Sequence, residues 1–180
     1  MNLNPSLYHV FGSSFGDIGM LYQKEPFQLK EVFLPGKWPE RVDRMEGEAW
    51  KKEGEPSLQV EALSRMMAGY FEGEPVAIPW KALDLSRMTI LETAVLRATS
   101  AIPYGEVASY REIARAIGRE KAFRFVGNTL AQNPFPILIP CHRVIRSDQN
   151  PGGFGGGEEL KKKMIALEKK YKNRYQRNEA

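Results

Sequence analysis

The chain has 180 residues and a mass of 20.4 kDa, with 42% hydrophobic and 27% charged residues. This composition is too apolar for a disordered chain, and no apolar run is long enough to cross a bilayer. The net charge of +4 divides unevenly: residues 1–80 carry 8 Lys and Arg against 12 Asp and Glu, and residues 81–180 carry 18 against 10.

A basic second half suits a polyanionic partner. Part of its excess lies in "KKK" at 161–163 and "KKYKNRYQR" at 169–177, which equally fit a solvated basic tail. A single cysteine excludes an internal disulfide. "MNLNPSLYHV" lacks the basic and apolar regions of a secretion signal, so a soluble cytoplasmic protein with no membrane association is expected.

Along the chain, "LYHVFGSSFGDIGMLYQ" predicts two short strands around a Gly/Ser turn, and "FQLKEVFLPG" a third ending at Pro35-Gly36. "PSLQVEALSRMMAGYFEGEP" predicts a helix, with Leu63, Met66, Met67 and Tyr70 at helical spacing. "GEPVAIPWKALDL" is a plausible connector. The expected organisation is therefore a small α/β domain over residues 1–80 and a mostly helical domain over 81–180, in an α+β chain.

The second half has clearer punctuation. "SRMTILETAVLRATS" predicts a helix with Leu91, Ala94, Val95 and Ala98 on its inner face and Thr89 with Glu92 as a capping box. Ser109 and Glu112 form a second box, opening a helix through Tyr110, Ile113, Ala114 and Ile117 that Gly118 ends. A further helix is predicted from about Glu120 to Gln132, stopping before Asn133-Pro134. Two helices joined by a short Gly turn have the shape of a helix-turn-helix. On the second of them, Ala122, Phe125, Val126, Thr129 and Leu130 form an apolar face. Arg124, Gly127, Asn128 and Ala131 lie opposite, and such small side chains permit close approach to another surface.

"FPILIPCHRVI" holds the only cysteine, Cys141, beside one of two histidines, His142. "PILI" predicts a short buried strand delivering Cys141. An unaided buried thiol is largely unreactive at neutral pH, whereas His142 could act as its base if the backbone turns after Pro140 or a water bridges the two. The imidazole then needs a carboxylate to orient it. In "GEELKKKMIALEKKY" the apolar stripe Leu160, Met164, Leu167 and Tyr171 has Glu168 at its margin. Glu168 there either faces a site or pairs with Lys172 on the surface. "NPGGFGGG" lacks the Gly-Lys-Ser/Thr of a phosphate loop and leads into Glu158-Glu159, so it reads as a loop over a site. One cysteine with His9 and His142 far apart gives no metal cluster, and His9 reads as structural.

With these residues in view, the chain resembles the O6-alkylguanine-DNA alkyltransferases, the methylated-DNA–protein-cysteine methyltransferases. The resemblance runs from about residue 85 to 168 through "IPYGEVASYREIA", "RFVGNTLAQNPFPILIPCHRVI", the Gly-rich loop and "ALE". It implies an RNase H-like N-terminal domain and a winged-helix type of helix-turn-helix. It also implies a monomer that uses no cofactor and binds double-stranded DNA carrying O6-alkylguanine, with O4-alkylthymine as a second substrate. Cys141 would accept the alkyl group once and irreversibly, His142 would take its proton through a water, and Glu168 would orient His142. Tyr110 would serve guanine N3, and Asn133 would tie the recognition helix to the active-site turn. Arg124 would replace the flipped nucleotide, with Phe123, Gly127, Ala131 and Arg143 also at the DNA. Val144, Phe154, Gly155 and Gly156 would line the base pocket.

The chain departs from the pattern in three places. Phe154-Gly155 stands where many members have Tyr-Ser, which removes a hydroxyl near O6. Phe123 and Phe125 replace smaller residues. The N-terminal cysteines that bind structural zinc in some members are missing, so no metal is expected. Three rivals remain open: a non-catalytic lesion-binding relative lacking the acceptor thiol, a Cys-His-Glu hydrolase, and a DNA-binding regulator without chemistry.

Overall fold

A computed structural model describes residues 6–37, 50–52 and 54–176. Residues 1–5, within the stretch read for a secretion signal, and Arg177, at the end of the second basic stretch, lie outside the described residues. The expected hairpin forms from β1 (Ser6–Phe11) and β2 (Ile18–Gln23), paired antiparallel. Its turn closes through Ser13 and Gly16, which exchange backbone hydrogen bonds of 3.0 and 3.1 Å. Gly16 has φ +113°, a conformation that a Cβ would disfavour. β3 (Gln28–Phe33) pairs antiparallel with β2. A fourth strand, β4 (Trp50–Lys52), pairs parallel with β1 and completes the order β3-β2-β1-β4. That strand was not anticipated, because its long-range partner is invisible in a short polar segment. β2 is an inner strand, and Ile18–Tyr22 are all buried, giving a continuous apolar run rather than an alternating one.

α1 (Leu58–Phe71) is capped by Ser57, whose hydroxyl accepts from the Val60 N–H, and buries Val60, Leu63, Met67, Tyr70 and Phe71. The connector is not a loose linker. It contains a 3-10 turn at Trp80–Ala82, and the Asp84 N–H donates to the Leu29 carbonyl at 2.8 Å, joining it to β3. α2 (Ile90–Ser100) and α3 (Tyr110–Ala116) both start with the expected capping boxes, and Gly118 follows α3 with φ +69°. α4 (Phe123–Ala131) starts later than expected. Residues 119–122 form a turn in which the Ala122 N–H donates to the Arg119 carbonyl, and no side chain caps the helix at Ala122. α5 (Glu158–Gln176) closes the order.

Two expected faces are rotated. On α2 the buried residues are Val95, Leu96 and Thr99, with Leu91, Ala94 and Ala98 only half-buried. On α5 the fully buried stripe is Lys161, Met164 and Glu168, spaced i, i+3, i+7, with Leu160, Leu167 and Tyr171 at its flank. Hydrophobicity placed these faces wrongly because buried polar partners, not apolar area, decide the orientation of α5.

One core cluster runs from the sheet and α1 to α4 and the 135–144 segment. The Val32 N–H donates to the Pro134 carbonyl at 2.8 Å, and the Tyr104 hydroxyl donates to the Gly73 carbonyl at 2.9 Å. A two-residue parallel pair, β5 (Ala108–Ser109) with β6 (Val144–Ile145), sets Tyr110 beside the turn that carries Cys141.

Gly73 lies at a junction, with φ +96°, and a Cβ there would stand 2.5 Å from the Tyr171 ring. Gly73→Ala should lower unfolding stability by roughly 1–3 kcal/mol. Gly36→Ala, at φ +79° with nothing within 4 Å, should cost about 1 kcal/mol or less. Denaturant midpoints measure both, and equal losses would show that the ring contact adds nothing.

Candidate active site

Residues 135–141 are buried, but they are not a strand. They form an irregular turn in which Ile137 has φ +75°, an unfavourable conformation for a β-branched residue. Asn133, just after α4, holds both ends of it. Its side-chain amide donates to the Ile139 carbonyl at 3.0 Å, and its side-chain oxygen accepts from the Phe135 N–H at 3.0 Å. The backbone then enters a 3-10 turn, Cys141–Arg143, whose start is tied by the Cys141 N–H to the Ile139 carbonyl.

The Cys141 thiol is free and only 5% exposed. Burial raises its pKa. A hydrogen bond with Asn133, the nearby Lys161 charge and local backbone N–H groups act against that rise. A thiol so placed needs a base.

His142 is fully buried, and burial holds its pKa below the ordinary value although Glu168 acts the other way. It is therefore neutral at neutral pH. Its Nε2 lies 2.7 Å from Glu168 Oε1. Glu168, 1% exposed, also accepts from the Tyr70 hydroxyl (3.0 Å), the Gly105 N–H (2.9 Å), and Arg143 Nε and Nη2 (2.8 and 3.1 Å). Burial alone would raise the Glu168 pKa; the hydrogen bonds and charges of His142 and Arg143 outweigh it and leave the carboxyl at about 2. An ionised carboxylate only accepts, so Nε2 carries the imidazole proton and Nδ1 presents a lone pair. Nδ1 is buried and has no partner among the described residues. The arrangement is a poised general base beside a buried thiol.

Glu168 thus faces the site, while Lys172 pairs with Glu106 instead. Arg143, expected at the DNA, is turned inward: it grips Glu168 and donates Nη1 to the Ile102 carbonyl at 2.7 Å. Its guanidinium is committed to the carboxylate. Two participants escaped the sequence reading. Tyr70 was placed only by helical spacing, and Lys161 was counted in a basic tail. Lys161 is fully buried, and its Nζ donates to the Val144 carbonyl at 2.6 Å and the Gly153 carbonyl at 3.4 Å. Burial brings its pKa down to about 8, with the Cys141 sulfur opposing the shift. The spacing Lys161, Met164, Glu168 was the available signal.

Tyr110 is half-buried above this group, with Lys161 Nζ 5.8 Å from its ring centroid. Its pKa is raised by burial and then by Cys141, so it stays a proton donor at neutral pH. A Cβ on Gly127 would meet the Tyr110 ring at 3.8 Å, an ordinary contact distance, so the Tyr110 ring lies alongside α4 at this point. Arg124, Asn128 and Ala131 are exposed on the outer face of α4. Phe123 is 36% exposed with the Arg111 guanidinium 5.5 Å over its ring. Tyr110, Phe123, Arg124, Gly127 and Ala131 border one cleft of about 530 Å³. A larger cleft of about 1050 Å³ between β3 and the end of α4 reaches Asn133 and Gly155 but is not lined by Cys141 or His142. The smaller one is not lined by them either; it is bordered by Tyr110, whose pKa the Cys141 sulfur helps to raise. Val144 is fully buried, the Phe154 ring lies 6.4 Å edge-on from His142, and Gly155 is exposed. A Cβ on Gly156 would stand 2.6 Å from Leu160 and 2.9 Å from Leu34, so this loop packs tightly.

A methylated-DNA–protein-cysteine methyltransferase of Methanosarcina acetivorans is 32% identical over 168 residues, covering 89% of this chain and 97% of that protein. The chain belongs to the O6-alkylguanine-DNA alkyltransferase family. The family model "6-O-methylguanine DNA methyltransferase, DNA binding domain" matches residues 91–170, which hold α2, both helices of the Gly118 pair, the thiol and Glu168. The homologue from Methanothermobacter thermautotrophicus is 35% identical over 119 residues, and the match spans 66%, just under two thirds, of each chain. The crystal structure of Mycobacterium tuberculosis OGT in complex with DNA is similar with a TM-score of 0.75 and 30% identity, over 91% of this chain and 93% of that one. These alkyltransferase relatives share the mixed α+β architecture described above.

Glu168 at about 2 lies below the ordinary carboxyl value of 4.5. Its stabilisation is therefore complete above pH 4.5 and lost as pH falls through about 2. Glu168→Gln should cost roughly 3–5 kcal/mol at pH 7, because the Arg143 charge is left unpaired. The gap should narrow at pH 3, as denaturant titrations at the two pH values will show. An equal gap at both would contradict the ionised carboxylate.

Proposed function

We propose that the chain is a DNA-repair protein that transfers an alkyl group from O6-alkylguanine in duplex DNA to its own Cys141. The observation that carries this reading is the buried imidazole–carboxylate pair in the turn of the buried thiol, a turn that Asn133 ties to the end of α4, the helix whose outer face is small and carries Arg124. His142 Nδ1 takes the thiol proton through a bridging water. The thiolate attacks the alkyl carbon, a C–S bond forms as the C–O6 bond breaks, and the electron pair passes to guanine. Tyr110 protonates the leaving base at N3, and the proton on His142 restores Tyr110 by way of solvent. The net change is an alkyl group moved from O6 to sulfur and one proton moved from sulfur to the base. A thiolate is a poor leaving group from a thioether carbon, so each chain acts once.

Base chemistry requires extruding the nucleotide, which costs a few kcal/mol, and Arg124, exposed on the outer face of α4, would fill the gap from the minor-groove side. Phe123, Gly127 and Ala131 would lie against the groove, while Val144, Phe154, Gly155 and Gly156 would form the pocket of the flipped base. Asn133 ties α4 to the active-site turn. The reading extends to O4-alkylthymine, to an RNase H-like domain over 1–80 joined to a winged-helix domain over 81–180, and to a cytoplasmic monomer needing no cofactor. Among the described residues no helix is long and apolar enough to cross a membrane. A non-catalytic lesion-binding protein would not need Cys141 or its base.

Intact-mass measurement after incubation with O6-methylguanine duplex should show one methyl per chain, on Cys141, with no further turnover. Cys141→Ala should keep binding and lose transfer; persisting transfer would refute the acceptor. Arg124→Ala should slow duplex repair roughly tenfold or more while leaving reaction with a free base analogue nearly unchanged, in keeping with the unstacking cost. Equal losses on both substrates would remove the wedge role.

A further inference from the structure

Tyr70 belongs to α1, far in sequence from the motif residues, yet its hydroxyl lies 3.0 Å from both His142 Nε2 and Glu168 Oε1. We propose that Tyr70 is a positioning residue for alkyl transfer, its hydroxyl locking the Nε2–H tautomer of His142 and stabilising the imidazolium formed when His142 takes the thiol proton. The inference rests on the alkyl-transfer reading for its kinetic consequence but not for its geometry.

The hydroxyl proton has one useful acceptor. Nε2 already points its own N–H at Glu168, so the Tyr70 proton goes to Oε1 and the phenolic lone pairs face Nε2–H. One N–H therefore meets two oxygens, at 2.7 and 3.0 Å. In the other tautomer the Nε2 lone pair would face the carboxylate, and the Tyr70 hydroxyl could donate to Nε2 only by giving up its bond to Oε1. The proton that His142 gains must then enter at Nδ1, on the side away from Glu168. Once the ring is charged, its Nε2–H becomes a stronger donor and both oxygens hold it more firmly.

The charged and titratable groups around His142 are Glu168 and Lys161 from α5, Arg143 and Cys141 from its own turn, and Tyr70 from α1, with Tyr104 beside Tyr70. Among them Tyr70 is neutral throughout, since burial first and Glu168 second push its pKa well above 10. It can tune the pair without adding charge to the interior. Its ring packs edge-on to Phe71 and His142, with centroids 5.0 and 5.7 Å away, so the hydroxyl is held by packing rather than by a flexible stem. The half of the molecule outside the family's DNA-binding domain thereby contributes an atom to the proton-transfer apparatus.

The test is Tyr70→Phe in the full chain, which keeps the ring and removes one oxygen. Nitrogen-detected NMR of the His142 ring should show its pKa falling by about half a unit or more and its Nε2–H tautomer less populated. Single-turnover transfer near neutral pH should slow several-fold to about tenfold. The acid limb of the pH–rate profile should move to lower pH, and lesion-duplex affinity should not change. Superimposable titration and pH–rate curves in the two proteins would overturn the proposal, whatever happened to thermal stability. Wild type alone supplies a further arm if the variant does not fold: a His142 ring protonated at Nδ1 at neutral pH would equally overturn it. Failure of wild type to methylate Cys141 would refute alkyl transfer, while the NMR arms would still decide the role of Tyr70.

Discussion

A buried carboxylate organises this molecule. Taking Glu168 out of water is costly, and the cost is offset only because donors converge on it from three places: His142 and Arg143 in the Cys141–Arg143 turn, the Gly105 backbone, and Tyr70 of α1. Each donor fixes a different piece of chain. Gly105 locates the segment before Tyr110, Arg143 locates the 3-10 turn with its thiol, and Tyr70 locates α1. The carboxylate is therefore a register mark for the whole fold as well as the partner of the base.

The same constraint explains why the thiol can be both buried and reactive. Burial protects Cys141 from casual oxidation and raises its pKa, so the thiolate forms only when a neutral base is at hand. Burial also keeps His142 neutral, and Glu168 fixes which of its nitrogens accepts. Lys161, a cation with no exposed surface, is held by the Val144 and Gly153 carbonyls on either side of the pocket and lowers the thiol pKa. A lysine is kept buried at that cost where its charge has work to do at a site.

Helix geometry then sets what surrounds the thiol-bearing turn. The capping boxes fix where α2 and α3 begin, and the β5–β6 pair sets Tyr110 next to the thiol-bearing turn. Asn133 ties the end of α4 to that turn. Phe154 and the tightly packed Gly156 cover the opposite side with aromatic and backbone surface rather than hydroxyls.

Local signals carried much of this protein in its sequence. Strands β1 to β3, the caps of α2 and α3, and the end of α3 at Gly118 follow from patterns a few residues long, because each is decided by neighbouring backbone and side-chain groups. The motif around Cys141 carried the family, and the wheel brought Glu168 to the margin of a buried face. What needed the folded chain was every feature made by distant partners. β4 exists only through its pairing with β1. The "PILI" segment became a turn because Asn133 and the packed core override its strand propensity. The α5 face rotated toward Lys161 and Glu168 because hydrogen bonds outweigh apolar area there. Arg143 turned inward for the same carboxylate, and Tyr70 joined the site from a helix some 70 positions away. A sequence records which groups can donate or accept; only the tertiary structure decides which of them share a buried charge.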